Sequence, residues 1–240
     1  MKKRIKIFLG SLILFFCRII KNFVDFQFCH LYTSRIGHQT VNFDIALLSV
    51  KKSTIILCSN DKKIANRFIL NFFKNQNKVF FSPIFKYFYH LILFVNKDSE
   101  FIISWKQYQP EFSFHLNTRG RIIFPKFSKQ KLDSIFSKYQ IRENFIGLFS
   151  RNPLYIKKNN LNDQNFHDYR DFDFKDFELA IEYLKKDNSL VKLGDTYPEE
   201  NFDYSGTKIL TSLDYNSDQE IDYILNAYSR YNVMGDSGIS

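Results

Sequence analysis

Phe145-Ile146-Gly147-Leu148-Phe149-Ser150-Arg151 is the stretch on which the fold turns. Five uncharged residues bounded by Asn144 and Ser150 read as a strand. Downstream come a polar loop over 150–173, a helix over 174–186, a strand over 190–193 and a second loop. A strand over 208–210, a helix over 217–230 and a strand over 232–234 complete the series. Strands alternating with helices call for a parallel sheet, here a mononucleotide-type βαβ array.

Working outward to the N-terminus, 28–33 and 53–58 read as strands, with a helix over 41–50 between them and another over 62–74 after them. Residues 79–118 are rich in Phe and Tyr, and the reading leaves strand and buried helix both open there. Residues 130–139 predict a helix, and the chain divides near 143/144. The expected fold is α/β, with two Rossmann-like domains over 25–143 and 144–240 behind an N-terminal helix over 1–24. The second sheet is expected to be incomplete at Ser240.

Composition narrows the class. In 240 residues, 45% are hydrophobic and 25% charged, which suits a folded chain and excludes wholesale disorder. Eight Gly and five Pro leave little room for Gly-rich phosphate loops of the familiar kinds. Cys17, Cys29 and Cys58 are widely spaced in apolar surroundings, so buried thiols are expected rather than disulfides or a zinc site, compatible with a reducing cytoplasm. Residues 1–145 carry 24 Lys and Arg against 8 Asp and Glu, whereas 146–240 carry 10 against 17. That asymmetry points the first half toward an anionic partner.

At the N-terminus, Lys2, Lys3, Arg4 and Lys6 precede an apolar run over 7–17, and Arg18 and Lys21 follow it. The run is too short to span a bilayer, and no small-x-small cleavage site follows. Apolar residues recur at helical spacing from Ile5 to Phe23, so a helix lying on the inner membrane surface is expected. The rivals are a first helix packed on its own domain and a short spanning anchor. Nucleic acid is not an expected partner, because the lysines are scattered and no recognition module accompanies them.

In open α/β sheets ligands bind beyond the carboxyl ends of strands. Those ends carry Arg151 and Asn152, then Gly194 and Asp195, then Gly235-Asp236-Ser237-Gly238, whose N–H groups and hydroxyl suit a diphosphate. Together with Ser34-Arg35-Ile36-Gly37-His38, His167-Asp168-Tyr169-Arg170 and Ala180-Ile181-Glu182-Tyr183-Leu184, these segments resemble a family of bacterial glycosyltransferases of surface-polysaccharide synthesis with a GT-B-like fold. The likeness runs over most of residues 30–240.

The resemblance implies transfer of a sugar from a nucleotide sugar to a cell-surface glycan or lipid-linked precursor, at the cytoplasmic face of the membrane, with no cofactor beyond the donor. It implies that Arg35 and Gly37 lie on the acceptor side, and that Arg151, His167, Asp168, Tyr169 and Arg170 border the donor, joined by Gly194 and the segment from Gly235 to Gly238. Guanidinium forks at Arg151 and Arg170 match phosphate oxygens and would stabilise the leaving diphosphate. His38 is the candidate general base and Asp44 the reserve. No metal ligand is assigned. His30 and His90 read as core imidazoles with one hydrogen bond each, and His115 as structural. The alternatives are a catalytically inactive, membrane-associated remnant or scaffold of the same fold, with a partner chain completing its sheet, and, more remotely, a nucleic-acid-binding protein.

Overall fold

The structure is a computed structural model and describes residues 3–34, 39–40, 43–44, 47–48, 50–51, 53–103, 125–150, 174–198, 203–204 and 207–234. The chain is mixed α/β with parallel sheets, and its contacts divide it into two units, Met1–Pro125 and Lys126–Ser240.

In the first unit, helix α1 (Lys3–Lys21) leads into strand β1 (Phe26–Leu31), followed by helical residues at 39–40, 43–44 and 47–48. Then come β2 (Ile55–Asn60), α2 (Arg67–Lys74), β3 (Val79–Phe81), α3 (Ile84–Val95) and β4 (Ile102–Ile103). The sheet runs β3-β2-β1-β4, all parallel, with Phe26 opposite Ile55, Cys29 opposite Cys58 and Phe28 opposite Ile102.

The helix expected from residue 62 begins only at Arg67, for a local reason. Asn66 is extended, its side chain accepts from the Ile69 N–H at 2.9 Å, and a buried Gln39 side chain brackets its backbone N–H and C=O. That is an N-cap held from outside the helix.

Segment 79–103, open in the sequence, resolves into strand, helix and strand. Helix α3 hides its period because it is apolar on nearly every side: Tyr89 and Ile92 are buried with Phe28, Phe101 and Ile102, while α1 packs along another face. Close approach of α1 depends on Gly10, where a Cβ would stand 2.6 Å from the Leu91 carbonyl oxygen. Cys17, Cys29 and Cys58 are free and buried. Burial pushes the Cys17 thiol up to about 11 and Cys58 well above its ordinary value, with Cys29 beside Cys58 adding to the effect.

The second unit comprises α4 (Lys129–Lys138), β5 (Phe145–Phe149), a 3-10 turn (Phe174–Phe177) running into α5 (Glu178–Leu184), and β6 (Ser189–Lys192). A small antiparallel hairpin, β7 (Asp203–Tyr204) with β8 (Thr207–Lys208), precedes α6 (Gln219–Tyr228) and β9 (Tyr231–Met234). The sheet runs β6-β5-β9, all parallel, and a parallel bridge from Val191 to Leu210 adds the segment after β8 to the free side of β6.

Strand β5 is buried on both faces. Ile146 and Leu148 pack with Phe174, Phe177, Ile181 and Leu190, whereas Phe145 packs with Val191, Leu193, Tyr215 and Leu225. Phe136, Tyr139 and Ile141 join the second group, so α4 belongs to this unit. The division therefore falls after Pro125, ahead of the boundary expected at 143/144: apolar packing, not the change of charge, decides where α4 sits.

Both units share one topology. Counted in chain order, with the Leu210 segment as the third strand of the second sheet, each reads 3-2-1-4. The connections leave the first strand toward one edge and then return to its other side, creating a switch point beside β1 in one unit and beside β5 in the other.

Candidate functional site

At the switch point of the second unit, β5 ends at Phe149, Ser150 is buried, and β9 ends at Met234. Around the end of the neighbouring β6 lies a built polar cluster. Lys192 is 1% exposed, and its ammonium donates to the Asp195 carbonyl. Gly194, at φ 78°, takes the left-handed turn that lets the chain leave the sheet, and its N–H donates to Asp222 Oδ1 at 3.1 Å. The Tyr215 hydroxyl donates to the same oxygen at 3.0 Å.

Burial raises the Asp222 carboxyl above its usual range, opposed by these two donors. Burial, and then Asp222 itself, push the Tyr215 hydroxyl far up, so it stays a protonated donor. A buried cation and a half-buried carboxyl group thus frame the carboxyl end of β6, each hydrogen-bonded, as burial of charge demands. Thr196, also buried, donates its N–H to Ser212 Oγ, while its hydroxyl has no partner among the described residues.

A second cluster occupies the carboxyl ends of β1 and β2. His30 is buried between Ser59, at 2.9 Å from Nδ1, and Asp61, whose Oδ1 lies 3.2 Å from Nε2. The carboxylate can only accept, so Nε2 carries the proton and the Ser59 hydroxyl donates to Nδ1. Lys86, from α3, reaches the same Asp61 oxygen at 3.0 Å, and the His90 ring lies 5.2 Å from that of His30. Burial holds His30 below the ordinary imidazole value against the opposing pull of Asp61. Asp61 keeps 26% of its side chain exposed. It is a carboxyl group fixed on one side by an imidazole and on the other by an ammonium, with a face left to solvent.

Of the residues expected at the site, Asp44 and Gly194 are described. Asp44 is half-buried in the helical stretch between β1 and β2, next to Phe43, which stacks on Phe73. Gly194 sits at the end of β6 as expected, and its N–H is engaged by Asp222. Asp44 belongs to the first unit and Gly194 to the second. Arg35, Gly37, His38, Arg151, His167, Asp168, Tyr169, Arg170, Gly235, Asp236, Ser237 and Gly238 lie outside the described residues, as does His115.

His30 also departs from expectation, having two hydrogen-bond partners rather than one. Asp61 stands directly after β2, where the strand-end rule that selects Arg151 applies equally. Among the described residues no group of three or more His, Cys, Asp or Glu could hold a metal ion. Asp171-Phe172-Asp173, an Asp-x-Asp spacing in the sequence, lies outside the described residues.

No family model, no curated protein and no solved structure matches the chain.

Proposed function

We propose that the chain is a GT-B-like glycosyltransferase in which the second unit takes a nucleotide sugar at the carboxyl ends of β5 and β9 and the first unit serves the acceptor, a cell-surface glycan or lipid-linked precursor at the cytoplasmic side of the membrane. The observation that carries this reading is the strand order 3-2-1-4 found in both units, because a parallel sheet of this order opens a ligand crevice beside its first strand. In the sequence Arg151 comes two residues after β5 and Gly235-Asp236-Ser237-Gly238 comes directly after β9, and the proposal assigns their guanidinium and N–H donors to the diphosphate.

In the proposed reaction an acceptor hydroxyl attacks the anomeric carbon, the bond to the diphosphate oxygen breaks, and a base takes the hydroxyl proton. Arg151 and Arg170 would compensate the charge left on the diphosphate. His38 and Asp44 remain the sequence candidates for the base, and Asp61 joins them as the fixed, partly exposed carboxylate of the first unit.

Titration calorimetry with uridine, guanosine and cytidine diphosphate sugars tests this directly. One of these donors should bind, and Arg151→Ala should weaken it about tenfold or more, the worth of one charge-assisted hydrogen bond. Absence of heat from every donor overturns the proposal; binding without transfer to any glycan acceptor favours the inactive scaffold instead.

A further inference from the structure

Helix α1 is apolar on two opposite faces, and only one of them is used. Gly10, Leu14 and Cys17 are buried, and α1 packs against α3. The other face presents Ile5, Phe8, Leu12, Phe15, Phe16 and Ile19, every one at least 40% exposed, and Phe23 just past the helix is 83% exposed. At 100° per residue these helical positions fall on one continuous stripe. Phe94 of α3 is also exposed, at 47%, with the Lys6 ammonium 5.5 Å from its ring centroid. A contiguous patch of this kind marks a contact surface, since a face left to water would carry polar side chains.

Charge decides what the contact is. Within Lys3–Lys21 there are five basic residues and no acidic one, with exposed Lys3 and Arg4 at one end and exposed Arg18 at the other. The whole first unit, residues 1–125, carries 19 Lys and Arg against 6 Asp and Glu. A second copy packed face to face would set these like-charged ends against each other. An anionic bilayer offers the complement of both features, acyl chains for the phenyl rings and phosphates for the cations. Among the described residues no helix is long and apolar enough to cross a membrane.

We infer that the exposed stripe of α1 is a docking surface for an anionic lipid bilayer, with the helix lying in the plane of the interface and its opposite face anchored to the folded unit through α3. Because the Gly10–Leu91 contact already holds the helix on the fold, docking requires no coil-to-helix transition. The inference stands independently of sugar transfer.

The full chain should co-sediment with vesicles of phosphatidylcholine and phosphatidylglycerol, and much less with phosphatidylcholine alone. Arg4→Gln and Arg18→Gln should each lower the partition coefficient about fivefold, the factor corresponding to about 1 kcal/mol per cation at an anionic surface. Phe8→Ser with Phe15→Ser should lower it by about tenfold or more. Leu179→Ser, which removes an 86% exposed leucine from α5 in the other unit, should leave it unchanged. All of these side chains are exposed, and an unchanged urea midpoint verifies that folding is intact. The inference is overturned if the parent chain does not sediment with anionic vesicles, or if the double serine variant sediments equally well. Self-association that the serine substitutions abolish, without vesicle binding, also overturns it in favour of a second copy.

Discussion

Replacing Gly147 with alanine should destabilise the second unit by about 3 kcal/mol, the balance of packing, hydrogen-bond and backbone terms. A Cβ there would stand 2.0 Å from Asn232 Oδ1 and 2.5 Å from Leu193 Cδ1, both impossible contacts. Asn232 can swing away only by giving up two hydrogen bonds, one from Ser229 Oγ at 2.7 Å and one to Asn226 Oδ1 at 2.9 Å. Those are worth about 0.5–1.5 kcal/mol each. Leu193 is 1% exposed, and forcing it off its rotamer adds about 1–3 kcal/mol. Against this, alanine recovers about 0.5–1 kcal/mol of the backbone freedom that glycine loses in a strand. Urea unfolding followed by far-ultraviolet circular dichroism measures the difference. In an Asn232→Ala background the same substitution should cost about 1–2 kcal/mol less, because the two side chains no longer collide. An alanine variant as stable as the parent, or an equal cost in both backgrounds, refutes the packing described around β5.

Gly10→Ala should also destabilise, by about 1–2 kcal/mol, although alanine is the better helix former by about 1 kcal/mol, because the clash is with the Leu91 backbone oxygen, which cannot rotate away. A raised unfolding midpoint would contradict the α1–α3 contact. Stability should fall as pH drops below the ordinary imidazole value near 6.5, with a slope of at most about 1.4 kcal/mol per pH unit from His30. The unfolded chain takes up a proton at this residue that the folded chain, with its lowered value, resists. Urea midpoints between pH 7.5 and 5.5, taken as an approximate window around that value, should decline more steeply for the parent than for His30→Gln; parallel declines exclude His30 as the cause.

How much of this was legible beforehand depends on what surrounds each element. Strand β5 was readable because burial on both faces leaves an unbroken apolar run, and α6 because Asp218 caps it, accepting from the Glu220 and Ile221 N–H groups. Helix α3 was not readable, since contacts on several sides erase the 3.6-residue period that marks a surface helix. Neither were β4, two residues long and paired with the distant β1, and the β7–β8 hairpin, whose strands are two residues each and pair with one another. The site divides along the same line. Strand ends could be picked from sequence, which led to Gly194, but the carboxylate that engages its N–H comes from α6, 28 positions away. Likewise, the two partners of His30 come from the end of the next strand, beyond an intervening helix, where no local spacing rule reaches.

All three thiols of the chain belong to the first unit, and each is sealed within it. Sulfur reactivity depends on the thiolate, which burial suppresses at Cys17 and Cys58. Alkylating reagents therefore act on these positions only when that unit opens, and the second unit contributes no signal. The rate of modification becomes a clock for the breathing of one half of the molecule, read without engineering a probe and with the other half silent.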